Sequence, residues 1–232
     1  MNKIMVITGT SKGIGRYLAE YFLQKNFIVI GCDLSKTNLK HNRYEHFCLD
    51  VSDEISVRKM ITIIVKKHRK IDYLINNAGI ASMNHSLLTP LAVVEKIFKT
   101  NFFGTFLFCR EIGKVMAKNK FGRIINFSSV AVPLHLEGES IYAASKAAVE
   151  EFTRILAKEF GNLGITCNAI GPSPIKTDLI KNISKEKINN LLEQQAIGEF
   201  ASFDDIVNVI EFFISNKSNM VTGQIIYLSG VC

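Results

Sequence analysis

The sequence predicts an α/β fold: a single doubly wound domain whose parallel sheet of about seven strands carries helices on both faces. Three observations carry this. Short apolar runs alternate with longer amphipathic segments from end to end. The runs are almost continuously apolar, as in Tyr73-Leu74-Ile75, which suits strands buried on both faces. A glycine-rich turn joins the first run to the first amphipathic segment, as in a βαβ unit. Hydrophobic residues make up 47% of the 232, enough for a sizeable core. No Pro/Gly/Ser-rich linker, low-complexity tract or internal repeat divides the chain, so residues 1–232 are expected to form one domain.

Taken in order, the expected strands cover residues 4–8, 27–32, 46–50, 73–76, 123–127, 165–169 and 224–228. The first helix is expected over 15–25, after the glycines, and the second over 52–67, ending in the basic run Lys66-Lys67-His68-Arg69-Lys70. Cations there suit the negative end of a helix dipole. A pair of helices follows at 90–99 and 103–118. A long one is expected over 140–160, stopping at Gly161 and burying a stripe of Ala144, Ala147, Ala148, Phe152, Ile155 and Leu156. Two more are expected at 185–195 and 204–215.

Composition excludes several classes of function. No apolar run reaches the roughly 18 residues that would indicate a membrane span. Met1 is followed at once by the first expected strand, so no signal peptide is expected. The five cysteines are scattered with no CxxC pair, so a disulfide framework or a metal site is not expected, and a cytoplasmic location is. Cys32, Cys48 and Cys167 are expected to be small core residues. A metal-dependent dehydrogenase fails because no His/Cys cluster has the needed spacing. The net charge of +7 is spread along the chain without interleaved aromatics, so no nucleic-acid partner is expected. It would help attract an anionic cofactor or substrate.

The turn Thr8-Gly9-Thr10-Ser11-Lys12-Gly13-Ile14-Gly15 lets backbone approach a pyrophosphate, with a helix N-terminus facing that anion. Asp33 ends the second strand, 18 residues after Gly15. An acid there accepts hydrogen bonds from ribose hydroxyls and repels the extra phosphate of NADP. Lys12 argues the other way, since a cation in the turn could pair with that phosphate. Asp33 holds the more decisive position, so NAD is favoured over NADP.

Tyr142-Ala143-Ala144-Ser145-Lys146 places a phenol and an ammonium four residues apart, on one face of a helix. A tyrosine with its ordinary pKa near 10 is a poor acid or base at neutral pH, and a neighbouring cation favours its phenolate. Such a pair makes a usable general acid/base. Ser129 lies thirteen residues earlier, at the end of the strand over 123–127, where its hydroxyl could hold a reacting oxygen beside the phenol.

With Asp50-Val51, Asn76-Asn77-Ala78-Gly79 and Asn101 in the same order and spacing, the chain resembles the short-chain dehydrogenase/reductase family, of the kind that includes the 3-oxoacyl-acyl-carrier-protein reductases. The resemblance runs from Thr8-Gly9 to Thr222-Gly223-Gln224 and implies a Rossmann-type sheet. It implies hydride transfer between NAD(P) and a carbonyl or alcohol carbon of a small-molecule substrate. Tyr142 would move the substrate proton and Ser129 would orient the carbonyl. Lys146 would hold the nicotinamide ribose and depress the pKa of Tyr142, and Asn101 would keep a water beside Lys146. For the cofactor, the resemblance implies Gly9, Ser11, Lys12, Gly13, Ile14 and Gly15 at the pyrophosphate. It places Asp33 at the ribose, Asp50 with Val51 at the adenine, and Asn77, Ala78 and Gly79 along the cofactor. Pro172, Ile175 and Thr177 would lie beside the nicotinamide, with Tyr142 and Lys146. It also implies a homo-oligomer, tetramer or dimer, joined through the helices at 103–118 and 140–160.

Two features depart from the family pattern. Pro172-Ser173 stands where Pro-Gly is usual, and serine tolerates positive φ poorly, so the loop is expected to sit differently. Pro174 also removes a backbone donor. The tail, Leu228 to Cys232, stops early. The pocket would be lined by Ala81, Ser82, Met83, Leu134, His135, Leu136, Leu179 and Ile180, mostly apolar, with His135 at the rim and Glu137 and Glu139 as solvated charges. A 3-oxoacyl thioester is the substrate the resemblance favours; a keto sugar or another small ketone is the alternative. A non-catalytic NAD(P)-binding sensor or scaffold is the reading of a different class.

Overall fold

The computed structural model describes residues 3–176 and 185–231. Thr177, Leu179, Ile180 and Cys232, singled out above, lie outside them.

Seven parallel strands form one sheet in the order β3-β2-β1-β4-β5-β6-β7. They are β1 (Ile4–Thr8), β2 (Ile28–Asp33), β3 (Tyr44–Cys48), β4 (Tyr73–Asn76), β5 (Gly122–Phe127), β6 (Ile165–Gly171) and β7 (Ile225–Tyr227). All seven expected strands are present, with ends shifted by at most two residues. The order runs outward in one direction from β1 and in the other from β4. The strand order therefore reverses between these two neighbours, and a crevice opens there at their carboxyl ends.

Helices cover both faces. On one side α1 (Gly13–Gln24) and α8 (Phe203–Ile214) bury Leu18, Phe22, Ile206, Ile210 and Phe213 against Met5, Ile7, Ile75 and Ile125. Ser202 and Asp205 close a capping box at the start of α8. On the other side α2 (Glu54–His68) and α4 (Gly104–Asn119) pack Val57, Met60, Ile64, Phe108, Ile112 and Met116 over Val6, Leu74 and Ile124. The expected pair at 90–99 and 103–118 is one continuous rod. α3 (Leu91–Phe98) passes into α4 through a π-helical turn, Lys99–Phe103, that contains Asn101. A π turn rotates the side chains that follow and often marks a functional position. After β5 come the short α5 (Ala131–Leu134) and then α6 (Ser140–Gly161), with α7 (Lys185–Glu193) after β6.

Two sequence expectations fail in part. Only part of the expected α6 stripe faces the core: Leu156 is buried and Phe152 packs against the core. Tyr142, Ser145, Lys146, Val149, Glu150, Thr153, Leu156 and Ala157 are buried, whereas Ala144 and Ala147 are exposed and Ile155 is 47% exposed. Polar groups turn inward because partners wait there: Asn126 Nδ2 donates to Thr153 Oγ1 at 2.8 Å, and Lys146 Nζ donates to the Phe127 carbonyl at 2.8 Å. Cys32 and Cys167 are buried as expected, but Cys48 is exposed because it ends the edge strand β3.

Candidate active site

The turn between β1 and α1 is held by interlocking backbone. Gly9 has φ +76° and Gly13 φ +58°, both in the region that favours glycine. A Cβ on Gly15 would lie 2.1 Å from the Gly9 carbonyl oxygen and 2.5 Å from Asn77 Nδ2. The Asn77 amide donates to the Thr8 carbonyl at 2.9 Å and to the Gly9 carbonyl at 3.3 Å. The Thr8 hydroxyl accepts the N–H groups of Asn77 and Ala78 at 3.0 and 2.9 Å. β4 is thus tied to the turn across the crevice. Helix α1 has no side-chain cap from Lys12, which is exposed, and no acid in its first turn. Its N-terminal N–H groups and positive dipole end suit a pyrophosphate. The half-buried Ile14 packs into the α1/α8 core layer.

Asp33 sits at the end of β2 beside this turn. Its carboxylate accepts the Ser11 N–H at 3.2 Å and the Ser35 N–H at 3.1 Å. Ser11 turns its hydroxyl away to the Ser35 carbonyl, at 2.9 Å. Next to them, Arg16 Nη1 donates to Thr37 Oγ1 at 3.0 Å and Asn38 Oδ1 at 2.8 Å. Sequence reading did not single out Arg16, because nothing local signals a contact with a loop 21 residues on. Asp50 Oδ1 accepts from the N–H and hydroxyl of Ser52, each at 2.8 Å. Val51 is buried and would meet a Cβ on Gly104 at 2.7 Å, so it packs against the start of α4.

Tyr142 and Lys146 lie one turn apart on α6, both buried. Lys146 Nζ is 5.9 Å from the centre of the Tyr142 ring. Ser129, just past β5, lies beside the phenol, and its Oγ accepts the Ala131 N–H at 3.2 Å. Asn101 is 1% exposed and braces the segment after Gly79: its Oδ1 accepts the Ile80 N–H at 2.9 Å, and its Nδ2 donates to the Ile80 carbonyl and to Ser145 Oγ, each at 3.0 Å. Asn101 Oδ1 and Lys146 Nζ each lie 3.4 Å from where a Cβ on Gly79 would be. The structure thus gathers Gly79, Asn101, Ser129, Tyr142 and Lys146 at the carboxyl ends of β4 and β5. Ser145, missed in the sequence, links Asn101 to α6 by donating to the Tyr142 carbonyl at 2.7 Å.

Burial moves both members of the pair away from their ordinary values. Burial pushes the Tyr142 phenol up to about 12, the Ser129 hydroxyl opposing this and the Glu139 carboxylate adding to it. Burial also pushes the Lys146 ammonium down to about 8. The Lys146 ammonium is turned to the Phe127 carbonyl, at 2.8 Å. For both groups desolvation is the largest cause.

The loop after β6 is not strained. Ser173 has no positive φ. It is buried, its hydroxyl donating to Gln195 Oε1 at 2.6 Å, and the Pro174 carbonyl accepts the Ala201 N–H at 3.1 Å. The serine thus replaces conformational freedom with a hydrogen bond. Pro172 is half-buried and Ile175 is buried in the α1/α8 core layer. His135 and Glu137 are exposed as expected, but Glu139 is 8% exposed. Burial against the start of α6 raises its carboxyl above the usual range, with the Lys187 ammonium pulling the other way.

Among the described residues no cluster of His, Cys, Asp and Glu could hold a metal, and no helix is long and apolar enough to cross a membrane. A family model described as enoyl-(acyl carrier protein) reductase matches residues 9–230. The 3-oxoacyl-[acyl-carrier-protein] reductase FabG of Salmonella typhimurium is 30% identical over 98% of this chain and 96% of its own length. The structure of 4-hydroxyisoleucine dehydrogenase complexed with NADH is 29% identical, with a TM-score of 0.89, over 99% of this chain and 98% of that one. ElxO with NADP bound is 30% identical, with a TM-score of 0.91, over the same shares.

Proposed function

The chain belongs to the short-chain dehydrogenase/reductase family and is an NAD(P)-dependent oxidoreductase, and we propose that it interconverts the carbonyl and alcohol of a 3-oxoacyl thioester. The observation that carries the reaction type is the buried Tyr142–Lys146 pair beside Ser129. A bound nicotinamide supplies or takes the hydride. Residues Gly9, Ser11, Lys12, Gly13, Ile14 and Gly15 receive its pyrophosphate, with Asp33, Asp50 and Val51 on the adenosine side. Asn77, Ala78, Gly79, Tyr142, Lys146, Pro172, Ile175 and Thr177 serve the nicotinamide side. The Ser129 hydroxyl holds the substrate oxygen, and Tyr142 Oη gives that oxygen its proton. Lys146 would hold the nicotinamide ribose and, as a cation one turn from Tyr142, would favour its phenolate. Asn101 holds the backbone beside Lys146 open to a relay of water. The chain acts as one catalytic domain in the cytoplasm.

Consumption of NADH and NADPH, followed by absorbance with 3-oxobutyryl thioesters, tests the reading. Turnover of the thioester supports it. Tight cofactor binding with no turnover of any carbonyl returns the chain to a sensor or scaffold. A second reading has its own support. A buried carboxylate at Glu139, three residues before Tyr142, suits a small polar ketone or keto sugar whose hydroxyl donates to it. Faster turnover of hydroxylated ketones than of thioesters would favour that reading.

NAD is the preferred cofactor, since Asp33 repels a ribose phosphate. Replacing Asp33→Ala removes a repulsion of about 1–3 kcal/mol. It should therefore shift the NADPH/NADH ratio of kcat/KM toward NADPH by about tenfold to a hundredfold. An unchanged ratio would remove Asp33 from that role and leave Lys12 to decide.

The chain assembles as a homo-oligomer through α4 and α6. Phe103, Phe106 and Ile155 are exposed, and Phe102 and Phe106 meet Phe152 with ring centres 5.7 and 5.9 Å apart. A contiguous apolar face of this kind marks an interface. Light scattering should give a dimer or tetramer, and Ile155→Glu should lower the mass. A monomeric wild type at micromolar concentration would refute the assembly.

A further inference from the structure

Glu150 is a buried carboxylate outside the Asn101, Ser129, Tyr142 and Lys146 set. It is 4% exposed and sits one turn past Lys146, on the same face of α6. Its Oε1 accepts the hydroxyls of Ser128 and Tyr227, the latter at 2.5 Å. Its Oε2 faces Arg154 Nη2 at 3.6 Å. A carboxylate survives burial only with such donors.

Each hydroxyl belongs to a different strand end. Ser128 lies between Phe127, whose carbonyl accepts Lys146 Nζ, and Ser129. Tyr227 ends β7, and its ring covers Gly171 at the end of β6: a Cβ on Gly171 would lie 2.3 Å from Tyr227 Cδ1 and 3.4 Å from the Ser129 carbonyl carbon. One carboxylate therefore joins α6 to β5 and β7 directly, and to β6 through the ring. All these contacts lie at the carboxyl edge that carries the site. An apolar side chain in its place would leave two hydroxyls without their acceptor.

We propose that Glu150 is a positioning residue for the reaction, setting the Ser129 hydroxyl and the Lys146 ammonium relative to Tyr142 through Ser128 and Tyr227. The proposal rests on the functional reading above. It is tested with ethyl 3-oxobutanoate as the carbonyl probe and NADH and NADPH in parallel. Tyr227→Phe and Ser128→Ala each delete one hydrogen bond and keep the Glu150 charge. Each should lower kcat by about tenfold to a hundredfold, the effect of a small misplacement, with KM for the cofactor within about twofold of wild type. Glu150→Leu should lower kcat at least as far, and Glu150→Gln, which keeps an acceptor oxygen, should recover part of the loss. Carbon-13 NMR of labelled lysine side chains supplies a readout that needs no turnover. In Tyr227→Phe the Lys146 titration should rise from about 8 toward the ordinary lysine value, because a loosened Phe127 carbonyl admits water.

Variants with wild-type kcat and an unmoved Lys146 titration would overturn the proposal, even if their Tm fell. Should Glu150→Leu fail to fold, Tyr227→Phe and Glu150→Gln decide. If the wild type reduces no carbonyl probe, the functional reading fails, and the lysine titration still decides the role of Glu150.

Discussion

Replacing Tyr142→Phe should abolish nearly all turnover while leaving the fold and the cofactor site in place. The phenol is buried between Ser129 and Lys146, and phenylalanine fills the same volume without the hydroxyl. General acid/base catalysis contributes roughly 10²- to 10⁴-fold, so kcat should fall by that factor. The Kd for reduced nicotinamide should change far less than kcat, because Lys146 and the glycine turn are left unaltered. Losing the hydroxyl also relieves a buried polar group, so Tm should hold or rise slightly. Steady-state kinetics with fluorescence titration of NADH separates these effects. A variant that kept wild-type kcat would show that another group moves the proton and would remove the basis of the proposed mechanism.

The fold was legible because it is written in local patterns. Apolar strands such as Tyr73–Asn76 and the turn from Thr8 to Gly15 announce themselves within a few residues. The site was legible where chemistry and spacing coincide, as in Tyr142 and Lys146. What escaped depends on contacts between distant segments. The α6 stripe was partly misread because alanines and Ile155 look like core, while much of the inward face is polar and is satisfied by Asn126, Phe127 and Ser128 from β5 and just beyond it. Glu139 and Glu150 looked solvated or unremarkable because only tertiary packing buries them. The Pro172-Ser173 departure suggested backbone strain. Its outcome depended on Gln195, 22 residues away, which no local rule connects to it. The upward shift of the Tyr142 phenol likewise comes from burial, which tertiary packing supplies and spacing does not show.

The second large effect belongs to Gly15→Ala. A methyl there would lie 2.1 Å from the Gly9 carbonyl oxygen and 2.8 Å from its carbon, so backbone must give way. The Asn77 amide, 2.5 Å from the same point, would be driven off the Thr8 and Gly9 carbonyls that it holds. Overpacking of this kind costs about 1–3 kcal/mol of stability or more. The larger consequence is for binding. The turn and the N-terminus of α1 would separate, and the pyrophosphate would lose backbone donors that act together. We expect the rise in Tm produced by saturating NADH in the wild type to be nearly absent in this variant, since that rise scales with occupancy of the folded state. Gly161→Ala is the matched control. It lies in the last turn of α6 with nothing within 4 Å of its Cβ position, and alanine there should stabilise by about 0.5–1 kcal/mol. If Gly15→Ala kept the full NADH-induced rise in Tm, the glycine turn could not be the pyrophosphate site. The cofactor reading would then have to rest on Asp33 and Asn77 alone.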